Sequence, residues 1–213
     1  MVAGSRTNAT PPAWRSAFQP PEDAALAAGF FARPVAEVAR ALLGARLIST
    51  VGGVETEGVI VETEAYRGPD DPASHAATRG GRTDRNAAMF GPPGRVYVYR
   101  IYGMHWCVNV VTGAEGDPQA VLIRALDPIS GEDVMRSRRG GADGLASGPG
   151  RLCQALGITG VLYAHDLAAP PLMLRAGWAV PDGDVGISGR IGVRAAADWP
   201  LRFFVRGNPS VSR

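Results

Sequence analysis

The sequence predicts a single mixed α/β domain, a curved antiparallel β-sheet with peripheral helices, and three observations carry that expectation. Short runs rich in β-branched and aromatic residues recur along the chain and read as strands. Brief segments of helical periodicity stand outside those runs. Twenty-eight glycines and 17 prolines among 213 residues imply many turns and long connections, while a 46% hydrophobic content supports a substantial core.

Residues 1 to about 24 carry Ser, Thr, Asn and four prolines with little periodicity. They are expected to form a mobile leader, which puts the domain at 25–210. Pro34 opens a helix whose buried face is Val35, Val38, Ala39 and Leu42, and Gly44 closes it. Residues 47–51 read as a strand, Gly52-Gly53 as a reversal, and residues 59–66 as the next strand. The stretch 67–93, rich in Gly, Pro and charge, reads as a long surface loop that builds a site. Residues 96–101 and 106–111 form a hairpin about the turn at 102–105, and 120–126 a central strand. A helix is expected from Ser130, with Asp133 completing a capping arrangement. Another lies between Pro149 and Gly157, and 185–193 with 201–206 read as a final strand pair.

All 22 basic residues are arginine, so only the terminal amine is left as a Schiff-base nucleophile and any hydrolysis is expected to use water. The formal charge of +2 is a weak argument for a polyanion partner. Arginines nevertheless cluster at 79–100 and at 190–213, and such clusters suit either phosphate contacts or solvated surface. Cys107 and Cys153 sit in apolar settings without metal-site spacing and are expected as buried thiols. No window approaches a membrane span and no cleavable leader is apparent, which leads to an expectation of a cytoplasmic or nucleoid-associated protein.

The strongest chemical signal is Val61-Glu62-Thr63-Glu64-Ala65-Tyr66. Residues two apart share a strand face, so Glu62, Glu64 and Tyr66 are expected to point one way. A carboxylate on such a face needs hydrogen-bond partners, solvent or a reactant. The separation of Glu62 from Glu64, near 7 Å at about 3.3 Å per residue, permits two-carboxylate chemistry. A structural salt bridge is the expected role of Glu62.

These residues, together with 97–104 (Tyr-Val-Tyr-Arg-Ile-Tyr-Gly-Met), 122–126 (Leu-Ile-Arg-Ala-Leu), 148–156 (Gly-Pro-Gly-Arg-Leu-Cys-Gln-Ala-Leu) and 200–207, resemble the alkyladenine, or 3-methyladenine, DNA glycosylase family over about residues 26 to 208. The resemblance implies that family's fold. It also implies its activity: a monofunctional enzyme that flips damaged purines out of duplex DNA and hydrolyses the N-glycosidic bond. By resemblance, Glu64 activates water and Arg124 stands near the phosphate and the reacting centre. Tyr66, His75, Tyr99, Asn109 and Leu122 form the base pocket. Tyr102 enters the gap left by the flipped nucleotide with Met104 beside it, and Gly148, Gly150 and Arg151 contact the DNA backbone. His105-Trp106 departs from the family pattern and is expected to alter hairpin packing or complementary-strand contacts.

Physically, an aromatic wedge and an aromatic pocket together offset the unstacking of a base. Neither a metal nor another cofactor is called for, and damaged double-stranded DNA acted on by a monomer is the expected pairing. Two other readings compete: a catalytically silent damage binder that distorts DNA through Tyr102, and a small-molecule hydrolase that uses Glu64 in an enclosed pocket.

Overall fold

The computed structural model describes residues 23–77 and 81–212. Its frame is an antiparallel sheet of eight strands: β1 (Arg46–Ser49), β2 (Thr56–Tyr66), β3 (Val96–Ile101), β4 (His105–Thr112), β5 (Gln119–Ser130), β6 (Leu172–Arg175), β7 (Val185–Ser188) and β8 (Arg202–Val205). The main path runs β3-β4-β5-β2-β1-β6, and β8 pairs with the far half of β2 while carrying β7 on its other edge. Among the described residues four α-helices lie around the sheet: α1 (Ala28–Phe31), α2 (Val35–Ala41), α3 (Glu132–Arg138) and α4 (Pro149–Leu156).

Helix α2 follows the expected pattern. Pro34 stands at its N-cap, and Val35, Val38 and Ala39 are buried. Thr63, turned toward this helix from β2, donates its hydroxyl to the Ala39 carbonyl at 2.8 Å. One face of β2 is thereby sealed against α2, which leaves the Glu64 face to the site. Gly44 adopts φ +88, and a Cβ there would lie 1.9 Å from the Trp178 carbonyl oxygen, so the chain between α2 and β1 requires glycine.

The central β2–β5 pair is irregular where it matters. Ile60 faces Leu126, Glu62 faces Ala125 and Thr63 faces Ile123, with register shifts on both sides of Glu62. Neither Val61 nor Arg124 has a residue directly opposite in this pairing. A bulge bends the strands and re-aims side chains, and here it gathers Glu62, Glu64 and Arg124 into one cluster.

Several expectations required correction. Ser130 does not cap a helix: β5 runs through it, and Gly131 is the N-cap of α3 at φ 72, ψ 25 without a side-chain cap. A Cβ on Gly131 would fall 2.5 Å from the Glu55 carbonyl oxygen, so a left-handed glycine in close packing makes this turn. The first strand ends at Ser49, and Val51–Gly53 form a 3-10 turn instead of extending it. Strand β6 was not anticipated. In the 67–93 loop, 3-10 turns at His75–Ala77 and Ala87–Phe90 place Ala76 and Met89 in a small apolar cluster with Tyr97 and Val111. Of the expected leader, residues 1–22 lie outside the described residues. Asp23 pairs with Arg46 at 2.5 Å and Ala25 bridges Arg175, so the chain joins the sheet edge from there.

Candidate active site

A cavity of about 610 Å³ opens where β2, β4 and β5 meet the loop before β3 and the segment after β7. All five residues expected as pocket walls, Tyr66, His75, Tyr99, Asn109 and Leu122, line it, and Arg124 does too. The aromatic wall has defined geometry. The His75 and Tyr99 rings meet edge-on with centroids 4.5 Å apart, and Tyr97 and Tyr99 lie tilted at 5.4 Å. His75 Nδ1 and the Tyr97 hydroxyl are 2.7 Å apart, which fixes the imidazole. Burial, reinforced by the nearby Arg85 guanidinium, lowers the His75 pKa and favours neutral imidazole. The Asn109 amide donates to the Tyr97 carbonyl at 3.0 Å, so its orientation is set by the neighbouring strand. Burial also raises Tyr66 and Tyr99 above their ordinary value, keeping both as protonated phenols.

Glu64 stands directly behind this wall. Its Oε1 accepts the Ile191 backbone N–H at 2.7 Å, Arg124 Nη1 lies 3.3 Å from the same oxygen, and Oε2 accepts the Tyr66 hydroxyl at 3.0 Å. The residue is fully buried. Solvent contact, one of the two expectations for this carboxylate, is therefore not what the structure shows: protein donors occupy the position instead. An ionised carboxylate offers about four acceptor positions, and these three partners leave room for one more donor. Burial pushes the Glu64 pKa upward, opposed by Arg124, the Ile191 amide and the Tyr66 hydroxyl. The group is poised closer to neutrality than an exposed glutamate, as suits a general base.

Glu62 has the expected salt-bridge role. Its Oε1 accepts Arg124 Nε at 3.1 Å, Arg202 Nε at 2.7 Å and the Ser212 hydroxyl at 2.9 Å, and its Oε2 accepts the Ser212 amide at 2.7 Å. Arg124 thus spans both glutamates, and their charge raises its pKa against the opposing effect of burial. It remains a cation.

At the cavity rim the β3–β4 turn projects Tyr102, 84% exposed, and Met104, 68% exposed. Tyr102 at φ 52 and Gly103 at φ 69 are both left-handed, and Met104 N donates to the Ile101 carbonyl at 3.3 Å. This tight reversal denies either apolar side chain a place in the core. Trp106 folds back onto Gly160, where a Cβ would lie 2.7 Å from the indole, and Arg100 stacks over it at 4.8 Å. Trp106 is thus packed against both Arg100 of the same hairpin and Gly160. Gly148 caps α4 at φ 126, Gly150 packs on His105, and the exposed Arg151 donates to Ser147 at 3.2 Å. Of the three, Gly150 meets the hairpin.

Sequence reasoning missed several contributors. Tyr97 shares the strand face of Tyr99, so the period-two pattern contained its signal. Ile191, Gly192 and Val193 line the cavity, but no local pattern marks them. Arg190, expected in a phosphate-binding or solvated cluster, is instead buried and forked onto Asp71, with Nη2 2.8 Å from Oδ1. Arg202 serves Glu62, while Arg82, Arg85 and Arg100 are exposed, the last two lining the cavity. Arg79 lies outside the described residues. Cys107 and Cys153 are both buried free thiols. Among the described residues no cluster of three or more His, Cys, Asp or Glu side chains is arranged for a metal, and no helix is long and apolar enough to cross a membrane.

Comparison with known proteins accords with this geometry. The profile of the methylpurine-DNA glycosylase family matches residues 29–209. A Rhodopseudomonas palustris protein is 53% identical over 185 residues, covering 86% of this chain and 88% of the relative. A Methanoculleus marisnigri protein is 50% identical over 194 residues, covering 88% and 98%, and one from Agrobacterium fabrum is 50% identical over 189 residues, covering 86% and 90%. All three are provisionally named 3-methyladenine DNA glycosylase. With a profile match spanning nearly every described residue and relatives at half identity over most of their length, the chain belongs to the methylpurine-DNA glycosylase family, enzymes that hydrolyse N-glycosyl bonds.

Proposed function

We propose that the protein is a monofunctional, monomeric DNA glycosylase that extrudes alkylated or deaminated purines from duplex DNA and hydrolyses their N-glycosidic bond, leaving an abasic site for base excision repair. The observation that carries the reading is the meeting of three parts at one cavity: an exposed aromatic at its rim, an aromatic lining around about 610 Å³, and a buried carboxylate with a raised pKa bonded to lining residues.

In this mechanism Tyr102 fills the vacancy in the duplex, offsetting an unstacking cost of a few kcal/mol. Tyr66, His75 and Tyr99 hold the extruded purine by ring contact, and Asn109 and Leu122 bound its edge. Gly148, Gly150 and Arg151 meet the DNA backbone. The remaining acceptor position of Glu64 takes a proton from water as that water attacks C1′ of the deoxyribose, and its charge supports positive character on the sugar. Arg124 keeps the carboxylate ionised by its proximity. Access for the water requires a small parting of Tyr66 and Arg124 when DNA binds. A positively charged N-alkylpurine leaves without prior protonation, whereas a neutral hypoxanthine demands a proton donor. With no lysine in the chain, abasic product is expected without efficient β-elimination. Action on the chromosome places such an enzyme in the cytoplasm or nucleoid.

The test is a matched set of duplexes carrying 3-methyladenine, 7-methylguanine, hypoxanthine or 1,N6-ethenoadenine, assayed for free base and separately for strand cleavage. Base release without chain breaks is expected, with Tyr102→Ala folded but excising roughly tenfold or more slowly. Tight binding of modified duplex with no base released would make the protein a silent damage binder. Full activity on a free nucleoside after Tyr102→Ala would make it a small-molecule hydrolase.

A further inference from the structure

Arg190 and Asp71 form a fork inside the protein, with both side chains inaccessible to solvent. Arg190 Nη1 bonds Asp71 Oδ2 and also donates to the Ala65 carbonyl at 3.0 Å, while Nη2 donates to Asp71 Oδ1 at 2.8 Å. Asp71 in turn accepts the amides of Arg67 at 3.1 Å and Ala73 at 3.0 Å. Burial alone would raise its pKa, but Arg190 and these two amides lower it, so the pair is ionic.

The guanidinium carbon lies 4.7 Å from the centroid of the Tyr66 ring, the ring whose hydroxyl donates to Glu64. The next residue, Ile191, supplies the 2.7 Å amide bond to the other oxygen of Glu64. Gly189 on the other side of Arg190 fits only because it lacks a Cβ, which would lie 2.1 Å from the Ala197 carbonyl oxygen. A buried ion pair is a poor device for stability alone, and a planar fork that also stacks is specific to arginine.

We infer that Asp71 and Arg190 are positioning residues for the general base: together they fix the Ile191 amide on one oxygen of Glu64 and the Tyr66 hydroxyl on the other. The inference rests on the role of Glu64 proposed above. The charged and titratable groups facing Glu64 are Arg124 from β5, Glu62 and Tyr66 from β2, Cys107 from β4, Arg190 ahead of Ile191, and Arg202 of β8 through Glu62. Loosening the fork weakens two of the three donors that hold the carboxylate ionised.

Arg190→Lys keeps the charge but loses both the fork and the flat stack. It is expected to move the acid limb of kcat upward by about one pH unit and to lower kcat about tenfold at pH values on that limb, with KM changed by less than about twofold. The neutral exchange Asp71→Asn with Arg190→Gln should shift the limb in the same direction. A folded Arg190→Lys with an unchanged pH profile and kcat, and only a lower Tm, would overturn the inference. On the unmutated protein, the Arg190 Nε–H and Ile191 amide chemical shifts should both follow protonation of Glu64, with the midpoint of the acid limb, and this measurement decides the matter where a variant does not fold. A chemical shift at either position that does not follow Glu64 would overturn the inference as well. Absence of base release by the unmutated protein would instead remove the glycosylase reading and, with it, the base that this pair positions.

Discussion

Two glutamates on one strand, two residues apart and equally buried, have opposite surroundings. Glu62 receives four hydrogen bonds, two from guanidinium groups and two from Ser212. Glu64 receives an amide and a phenol, with one guanidinium at the longer distance of 3.3 Å. Glu62 is saturated by two guanidinium groups and the Ser212 backbone and hydroxyl. Glu64 retains acceptor capacity and a raised pKa, and its partners line a cavity. What separates the salt-bridged anchor from the proposed base is the number and charge of the donors that the fold brings to each carboxylate.

That contrast can be broken from either side. The largest effect is expected for Glu64→Gln, which keeps shape but removes the base: single-turnover base release should fall about 10²- to 10⁴-fold with the thermal transition retained. A variant that released base at an undiminished rate would transfer the chemistry elsewhere. Glu62→Gln should act mainly on stability, because it strands Arg124 and Arg202. A loss of about 3 kcal/mol in urea unfolding is expected, with a smaller fall in activity as Arg124 loosens. Loss of activity at full stability would mean that Glu62 shares in the reaction.

The smallest effect sharpens the comparison. Tyr66→Phe removes one donor from the charged form of Glu64, so the carboxylate's already raised pKa should rise further and the acid limb of the pH–rate profile should move up by about one unit. The sign follows from protonation: below that limb Glu64 holds its proton and cannot accept another, and activity returns as pH rises through it. A limb moving down would assign it to a different group.

The contributions of sequence and fold divide along the same strand. The alternation of Glu62, Glu64 and Tyr66, and of Tyr97 and Tyr99, is a local pattern, so the shared faces were legible. The hairpin at Tyr102-Gly103 was legible for the same reason, as was the amphipathic α2. The cap of α3 was misread because Ser130 and Asp133 matched a local motif, while strand pairing carried β5 past Ser130 and left Gly131 to turn the chain. Strand β6 and the 191–193 wall offered no period long enough to read.

By itself the sequence determined the strands, the hairpin, the chemistry available at Glu64 and, through several long motifs in order, the family. Only the tertiary structure decided that Glu64 is shut behind Tyr66, that Glu62 is neutralised by three other segments, and that Arg190 reaches Asp71 across 119 residues of chain. The physical reason is that local patterns record which face of an element a residue occupies, whereas the state of a buried charge depends on donors that only folding brings within hydrogen-bond distance.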